Sequence, residues 1–245
     1  MLRGTGAVNE FAERAAHVPE FFREAIPLKG VICLQLTAEM KNSARESQLP
    51  PGLHPTIPAA LIVQVLDVKD SPWGPFRLAL VRVSCRSGVR ARGFTRAAVT
   101  DSAAACEGLR SRLGFPAVEG RIDFRHGYDG VSVEVVSGSD ERTLVIEAID
   151  PEPMGLDDVQ YTGTMNLAHT PHGLRLMQVE METEIRSVER LSARVEAFDG
   201  AAFGDARLQP VRVIAASVVS MDADFPPVRF VCKPDETAFT GTEAV

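Results

Sequence analysis

The chain has 245 residues, of which 45% are hydrophobic and 24% are charged, as in ordinary globular proteins. We therefore expect a single domain over residues 1–245. The formal net charge of -7 leaves no basic excess to neutralise phosphates, so we expect no nucleic acid and no anionic membrane surface as a partner. A small molecule is the expected partner.

No stretch approaches the ~18 consecutive apolar residues of a membrane helix, and the N-terminus lacks a charged segment followed by an apolar one. We therefore expect a cytoplasmic protein. The cysteines are widely spaced and form no Cys-x-x-Cys pair, which favours free buried thiols over a zinc or redox site. They are Cys33, Cys85, Cys106 and Cys232. We expect no metal and no cofactor.

The first part of the chain, residues 1–27, is predicted to be helical. Asn9 can cap a first short helix, and Pro19 can open a second one over residues 20–25. A strand follows at residues 31–36, because apolar and polar residues alternate there. Thr37 can then cap a helix that extends to about residue 47.

From residue 60 onward the chain is rich in branched residues, with turn residues at short intervals. This pattern predicts strands at residues 61–68, 76–85, 92–99, 121–124, 131–136, 143–149, 174–188, 192–197 and 211–221. One helix interrupts them at residues 101–113, capped by Asp101 or Ser102 and ended by Gly114. Residues 235–245 are predicted to form a flexible tail. The fold class is α+β, mostly antiparallel, with a barrel-like core and a few packing helices.

Three short motifs stand in a distinctive order along these elements. The turn Ser71-Pro72-Trp73-Gly74-Pro75-Phe76 comes first, the Ala-rich helix is followed by Gly114-Phe115-Pro116, and Ala197-Phe198-Asp199-Gly200 comes last. This order resembles the acetoacetate decarboxylase family over nearly the whole chain. The resemblance implies the barrel-like fold of that family and a homo-oligomer.

In the acetoacetate decarboxylase family, two lysines follow the proline of the Gly-Phe-Pro turn. The first forms a Schiff base with a β-keto acid, and its neighbour helps to lower its pKa. Here the corresponding residues are Ala117 and Val118. Two glutamates of the family correspond to Val63 and Leu78, and an arginine falls near Leu28. The resemblance therefore implies the scaffold without its imine chemistry.

Four apolar residues at or beside these family positions are predicted to line a hydrophobic pocket, namely Val63, Leu78, Phe115 and Ala117. Such a pocket would favour a ligand with hydrocarbon surface, since each buried CH₂ contributes about 0.8 kcal/mol. The alternative is that these side chains fill the barrel interior as ordinary core.

The candidate catalytic residues are His54, Arg77 and Arg96. A guanidinium can hold a carboxylate or an enolate by paired hydrogen bonds, and a histidine can transfer a proton near neutral pH. The alternatives are solvated or structural arginines. Other weaker candidates are Lys29 as a displaced catalytic lysine, His126, the possible bases Glu107 and Glu119, and the metal-like spacing of His169 and His172 within a turn.

Two functions remain open from the sequence. The first is a lyase, cyclase or isomerase that acts on a small, fairly apolar carbonyl or keto-acid compound without a Schiff base. The second is a non-catalytic protein that binds a small molecule in the same cavity.

Overall fold

The computed structural model describes residues 2–138, 142–159 and 161–245. Its helices are α1 (Val8–Ala12), α2 (Ala103–Leu113) and α3 (Ala238–Gly241), with a short 3₁₀ helix at Leu156–Asp158. Its strands are β1 (Ala16–His17), β2 (Ile26–Met40), β3 (His54–Pro55), β4 (Ala60–Val68), β5 (Phe76–Ser87), β6 (Arg90–Thr100), β7 (Ala117–Gly127), β8 (Gly130–Ser137), β9 (Arg142–Pro153), β10 (Thr164–Thr170), β11 (Gly173–Val179), β12 (Glu182–Phe198), β13 (Pro210–Phe225), β14 (Phe230–Cys232) and β15 (Thr242–Ala244).

Nine of these strands close into a barrel in the order β6-β7-β8-β9-β12-β13-β2-β4-β5, and β5 pairs back to β6. Neighbours in the ring are antiparallel except β6 and β7, which are parallel because α2 connects them. Strands β10, β11, β14 and β15 continue the sheet outward from β6. The predicted fold class, mostly antiparallel with a barrel-like core, is confirmed.

The barrel wall has a hydrophobic core on each of its two faces. Val63, Val81 and Ile146 belong to the cluster inside the barrel, whereas Leu78 and Phe115 belong to the cluster between the wall and the outer layer. Strand β4 is therefore buried on both faces. A strand of this kind is apolar almost throughout and shows little alternation.

Helix α2 begins and ends where the sequence predicts. The Ser102 hydroxyl accepts a hydrogen bond from the Ala105 backbone N–H, and Gly114 ends the helix at a φ of 66°. The positive φ is accessible to glycine without a Cβ clash, so this residue turns the chain into β7. In the described part of the chain, no helix is long and apolar enough to cross a membrane.

Several predicted elements differ from the structure. The helix predicted at residues 20–25 is absent, and only the short helix α1 forms in the N-terminal segment. The helix predicted from Thr37 is also wrong, since β2 runs on to Met40. Thr37 pairs with Ile62 on one side and Ala215 on the other, and these long-range pairings override the local capping signal.

Two further differences lie in the second half of the chain. The strand predicted at residues 174–188 is two strands, β11 and β12, which separate between Val179 and Glu182. Residues 235–245, predicted as a flexible tail, contain α3 and β15, and β15 pairs with β14. Strand β15 obtains its backbone hydrogen bonds from β14, and this long-range pairing cannot be recognised from the sequence of residues 235–245 alone.

Candidate active site

The turn after α2 brings Ala117 into register with three other barrel strands. Ala117 pairs with Ala98 on β6, Ala98 with Leu80 on β5, and Leu80 with Gln64 on β4. Directly paired residues project from the same face of a sheet. This row therefore lies on the outer face of the barrel wall and includes a polar side chain, Gln64.

A cavity of about 30 Å³ lies over this face, between the wall and the outer layer. Its apolar side is formed by Leu66, Leu78, Leu80, Phe115 and Phe225. Its polar side is formed by Gln64, Arg82, Tyr161, Thr164 and Glu180. A polar edge beside an apolar floor is the usual composition of a small-molecule site.

Arg82 is the largest fully buried side chain of the cavity wall. Its Nη1 donates to the Thr162 carbonyl oxygen at 3.2 Å and to Thr164 Oγ1 at 2.8 Å, and its Nη2 donates to Gln64 Oε1 at 2.5 Å. All three acceptors are neutral, and Arg82 has no ion pair among the described carboxylates. Its Nε is buried and has no hydrogen-bond partner in the described part of the chain. Burial lowers the pKa of Arg82 to about 10, so the side chain is still a cation at neutral pH.

Tyr161 places a second donor at the cavity. Its hydroxyl is buried and, among the described residues, has no partner except the weakly bonding Cys33 thiol. Burial raises the pKa of Tyr161, and it also raises the pKa of Cys33 to about 12. Both groups are therefore protonated and neutral at physiological pH.

Glu180 is held at the rim of the cavity by Arg92. The buried Arg92 side chain donates to both carboxylate oxygens, Nη2 to Oε1 at 2.5 Å and Nη1 to Oε2 at 3.2 Å. Gly163 packs against this pair, because a Cβ there would lie 2.3 Å from Arg92 Nη1 and 2.3 Å from Glu180 Oε2. A larger residue at this position would have to displace the Arg92–Glu180 pair.

The residues predicted to line a pocket are divided by the barrel wall. Leu78 and Phe115 line the cavity described above. Ala117 is buried in the same hydrophobic layer, in the row that includes Gln64. Val63 points the other way, into the barrel interior. The residue of β4 that faces the cavity is its neighbour Gln64.

The three predicted catalytic residues lie apart from this cavity and from one another. Arg77 is a partly exposed residue at the start of β5, where it forms ion pairs with Asp67 at 3.5 Å and Asp101 at 3.6 Å. His54 is buried on β3, with Nδ1 2.8 Å from the Leu2 carbonyl oxygen. Arg96 lines a different cavity near α1. Their catalytic roles stay predictions.

Sequence reasoning missed Arg82, Gln64 and Tyr161. A signal for Arg82 is present in the sequence, since it is the one charge between Leu78 and Val83, in a strand that is otherwise apolar there. An arginine inside such a run is either exposed at an edge or buried with partners. Among the weaker candidates, His172 lies 3.2 Å from Glu243 at the surface, with no third metal ligand close by in the described part of the chain.

Comparison with known proteins identifies the fold. No protein-family model matches the sequence, and no curated protein matches it either. An acetoacetate decarboxylase from Legionella pneumophila superimposes with a TM-score of 0.75 at 16% identity, covering 91% of this chain and 94% of the other. An acetoacetate decarboxylase-like enzyme from Sphingomonas wittichii gives 0.67 at 14% identity, covering 87% and 98%.

A third solved structure is that of the enduracididine biosynthesis enzyme MppR complexed with pyruvate. It superimposes with a TM-score of 0.70 at 18% identity, covering 85% of this chain and 90% of the other. Identities this low establish the architecture and leave the chemistry of each protein to its own residues. The chain thus has the acetoacetate decarboxylase-like fold.

Proposed function

We propose that this protein is a lyase, cyclase or isomerase that acts on a small keto acid or related carbonyl compound at the cavity beside Arg82, without forming an imine. The observation that carries the proposal is a fully buried arginine whose protein partners are all neutral. A buried cation is costly unless an anion compensates it. A substrate carboxylate, or an oxyanion that develops during the reaction, would supply that compensation.

The cavity offers one role to each kind of lining residue. Arg82 would hold the carboxylate or stabilise an enolate oxygen by charge and hydrogen bonds. Tyr161, kept neutral by burial, would donate to a second oxygen. Leu78 and Phe115 would receive the hydrocarbon part of the molecule. MppR, which shares the fold, was crystallised with pyruvate, a molecule of this class.

Imine chemistry is excluded from the proposal because no lysine reaches the cavity. The chain has four lysines, Lys29, Lys41, Lys69 and Lys233. The side chains of Lys29, Lys69 and Lys233 are 50%, 62% and 42% exposed, and Lys41 is also exposed. The resemblance of the Gly-Phe-Pro turn aligns the family's first lysine with Ala117, whose side chain is not a nucleophile.

Ligand binding at this cavity requires movement. Its volume of about 30 Å³ is close to the ~30 Å³ that one water molecule occupies in the liquid, and a three-carbon acid is larger. Met181 is half-buried at the rim, and its unbranched side chain adapts easily to new surroundings. We therefore propose that Met181 and the segment at Tyr161 shift when a ligand enters.

The first test is a consumption screen by mass spectrometry with pooled keto acids, enones and β-dicarbonyl compounds, against heat-killed protein. A consumed compound establishes catalysis, and its mass change distinguishes decarboxylation from hydration or isomerisation. Arg82→Lys keeps the charge and loses the paired hydrogen bonds, so it should slow consumption by about tenfold or more. Arg121→Lys, at a 73% exposed arginine, is the matched control and should change nothing.

Two further measurements keep the test decisive. Circular dichroism of Arg82→Lys must show a folded protein, and Tyr161→Phe tests the same cavity if it does not. Activity lost in His54→Ala or Arg77→Lys but retained in Arg82→Lys would move the site to the residues predicted from the sequence. Borohydride added with the consumed compound, or with acetoacetate, should leave the protein mass unchanged, whereas a stable adduct would overturn the imine-free mechanism.

The second candidate function is a non-catalytic binding protein. One observation favours it: Glu180 is the only carboxylate lining the described cavity, and Arg92 already holds both of its oxygens. A carboxylate whose two oxygens both accept from an arginine is poorly placed to take a proton from a substrate. Saturable binding of a keto acid, dependent on Arg82 and without consumption, would support this second function. In either case we expect a homo-oligomer, which light scattering of the purified protein would test.

A further inference from the structure

A second cavity, of about 70 Å³, lies beside α1 and is separate from the site of the proposed function. Its lining includes Phe11 and Arg14 from the N-terminal segment, Arg96 from β6, and Gly204 and Asp205 from the turn before β13. It shares no lining residue with the cavity beside Arg82. A ligand here would therefore contact the N-terminal segment and the barrel at the same time.

A β-bulge directs Arg96 into this cavity. On β5, Val81 pairs with Ala97 and Arg82 pairs with Thr95, so Arg96 is the extra residue of β6 between them. A bulge of this kind bends the strand and re-aims the side chain of the extra residue. The Arg96 guanidinium carbon lies 4.5 Å from the centre of the Phe11 ring, stacked on it as a cation–π pair.

Arg96 has hydrogen-bond donors that the protein does not use. Its Nε and Nη1 are buried and have no hydrogen-bond partner among the described residues. The nearby carboxylate of Asp205 is already engaged, since it accepts from Gln48 Nε2 at 2.7 Å and from Arg207 Nη2 at 2.6 Å. The two N–H groups lie on different edges of the guanidinium, and each is a charged donor for which an oxyanion in the cavity could be the acceptor.

Arg14 faces the same small volume. A Cβ added at Gly204 would lie 2.3 Å from Arg14 Nη1 and 3.6 Å from Arg96 Nη2, which places both guanidinium groups beside this glycine. Two guanidinium groups on one cavity repel each other unless an anion lies between them. Asp205 and Glu10 partly offset the charge of Arg96, but among the described residues neither accepts a hydrogen bond from its Nε or Nη1.

We infer that this cavity is a binding site for a small oxyanion, of the size of a carboxylate or carbonate group, between Arg96 and Arg14. The volume of about 70 Å³ corresponds to roughly two water molecules in the liquid. The bound anion would accept from one of the unpaired N–H groups of Arg96, at Nε or at Nη1, and offset the repulsion from Arg14. Because it bridges two segments that meet only in the folded protein, it would stabilise the fold by an amount that rises with the logarithm of its concentration above Kd.

The test is a titration of protein labelled with ¹⁵N-arginine, followed by the Nε–H resonances, with sodium acetate against sodium chloride at matched ionic strength. One Nε–H resonance should shift saturably with acetate, and it should be the one that is missing in Arg96→Lys. The affinity for acetate should fall by about tenfold in Arg96→Lys and less in Arg14→Gln. The melting temperature should rise with acetate in the wild type, and it should rise less in Arg96→Lys and in Arg14→Gln. Bicarbonate and phosphate, titrated in the same way, define the size limit.

The controls separate this site from the one beside Arg82. Arg82→Lys should retain the acetate-dependent shift of the Arg96 Nε–H resonance even if it abolishes keto-acid binding. The proposal for one site can therefore be rejected without rejecting the proposal for the other. If Arg96→Lys does not fold, the acetate-dependent Nε–H shift of the wild type is compared with that of Arg14→Gln instead. A resonance of Arg96 that follows ionic strength alone, with no difference between acetate and chloride, would overturn the inference.

Discussion

Arg82 Nη2 donates to Gln64 Oε1 at 2.5 Å, joining two neighbouring barrel strands through a buried cation and a neutral amide. Gln64 in turn donates its Nε2 to Gln35 Oε1 at 2.7 Å. The relay fixes the orientation of Gln64, so that its oxygen faces Arg82. An amide satisfies one donor of the guanidinium and leaves its charge uncompensated, which keeps Arg82 available to an anionic ligand.

Gln64→Glu and Gln64→Leu should therefore separate ligand binding from stability. The glutamate would pair with Arg82 internally, so we expect stability at least equal to that of the wild type and at least tenfold weaker keto-acid binding. The leucine would leave a buried Arg82 donor unsatisfied, lowering the free energy of unfolding by about 1–3 kcal/mol. Urea unfolding and calorimetric titration measure the two effects. Tighter keto-acid binding by Gln64→Glu would contradict the role given to Arg82.

Gly108→Ala should destabilise the protein although alanine is the better helix former. A Cβ at Gly108 would lie 2.2 Å from Trp73 Cε2, so the indole ring has to leave its contact with α2. We expect the displaced contact to lower the free energy of unfolding by about 1–3 kcal/mol, which outweighs the ~1 kcal/mol gained in helix propensity. Trp73 is the only tryptophan of the chain, so its emission should shift to longer wavelength. Glu107→Ala, at an exposed position of the same helix, should leave both emission and stability nearly unchanged.

The sequence predicted the elements whose signals are local and missed those that depend on distant pairing. Helix α2 has its cap at Ser102 and its terminator at Gly114 within a few residues of its ends, and both act as predicted. The segment at Thr37 carries an equally plausible cap, but pairing with β4 and β13 extends β2 through it. Strand pairing on both sides of a segment cannot be read from the segment itself.

The site shows the same limit. The Gly-Phe-Pro turn and the strand at Phe76 led to Leu78 and Phe115, because a family resemblance identified their surroundings. Arg82 and Gln64 were missed because β4 and β5 are buried on both faces. In such strands a polar residue cannot be assigned to a cavity by alternation, since both faces are apolar. Only the closed barrel shows which face the arginine occupies.

Asp205→Asn should lower the stability of the protein at neutral pH. The stability of this variant should also fall less than that of the wild type as the pH is lowered. Hydrogen bonds from Arg207 hold the pKa of Asp205 well below its ordinary value of 3.8, with a further contribution from Gln48. As the pH falls, Asp205 is protonated at a higher pH in the unfolded state than in the folded state. The stabilisation is therefore present above about pH 4 and is lost as the pH falls below it. We expect a cost of about 1.5–3 kcal/mol at pH 7.

Urea unfolding of wild type and Asp205→Asn from pH 7 down to pH 3 measures this effect. The difference between the two proteins should be largest at pH 7 and should shrink below about pH 4. Asp129→Asn, at an exposed turn residue, is the matched control and should follow the wild type. A difference that is constant over the whole range would show that the carboxylate charge is not the cause.

Tyr161→Phe should affect ligand binding without a loss of stability. Among the described residues, the buried Tyr161 hydroxyl has only the Cys33 thiol as a partner. Removing this poorly satisfied polar group should leave the melting temperature equal or higher. If the hydroxyl donates to the ligand, affinity for a keto acid should fall by about three- to tenfold. Tyr128→Phe, at a 99% exposed residue, controls for the loss of a phenol hydroxyl. A marked fall in melting temperature with unchanged keto-acid affinity would mean that Tyr161 is a structural residue, and the polar side of the cavity would then be reduced to Arg82 and its amide partner.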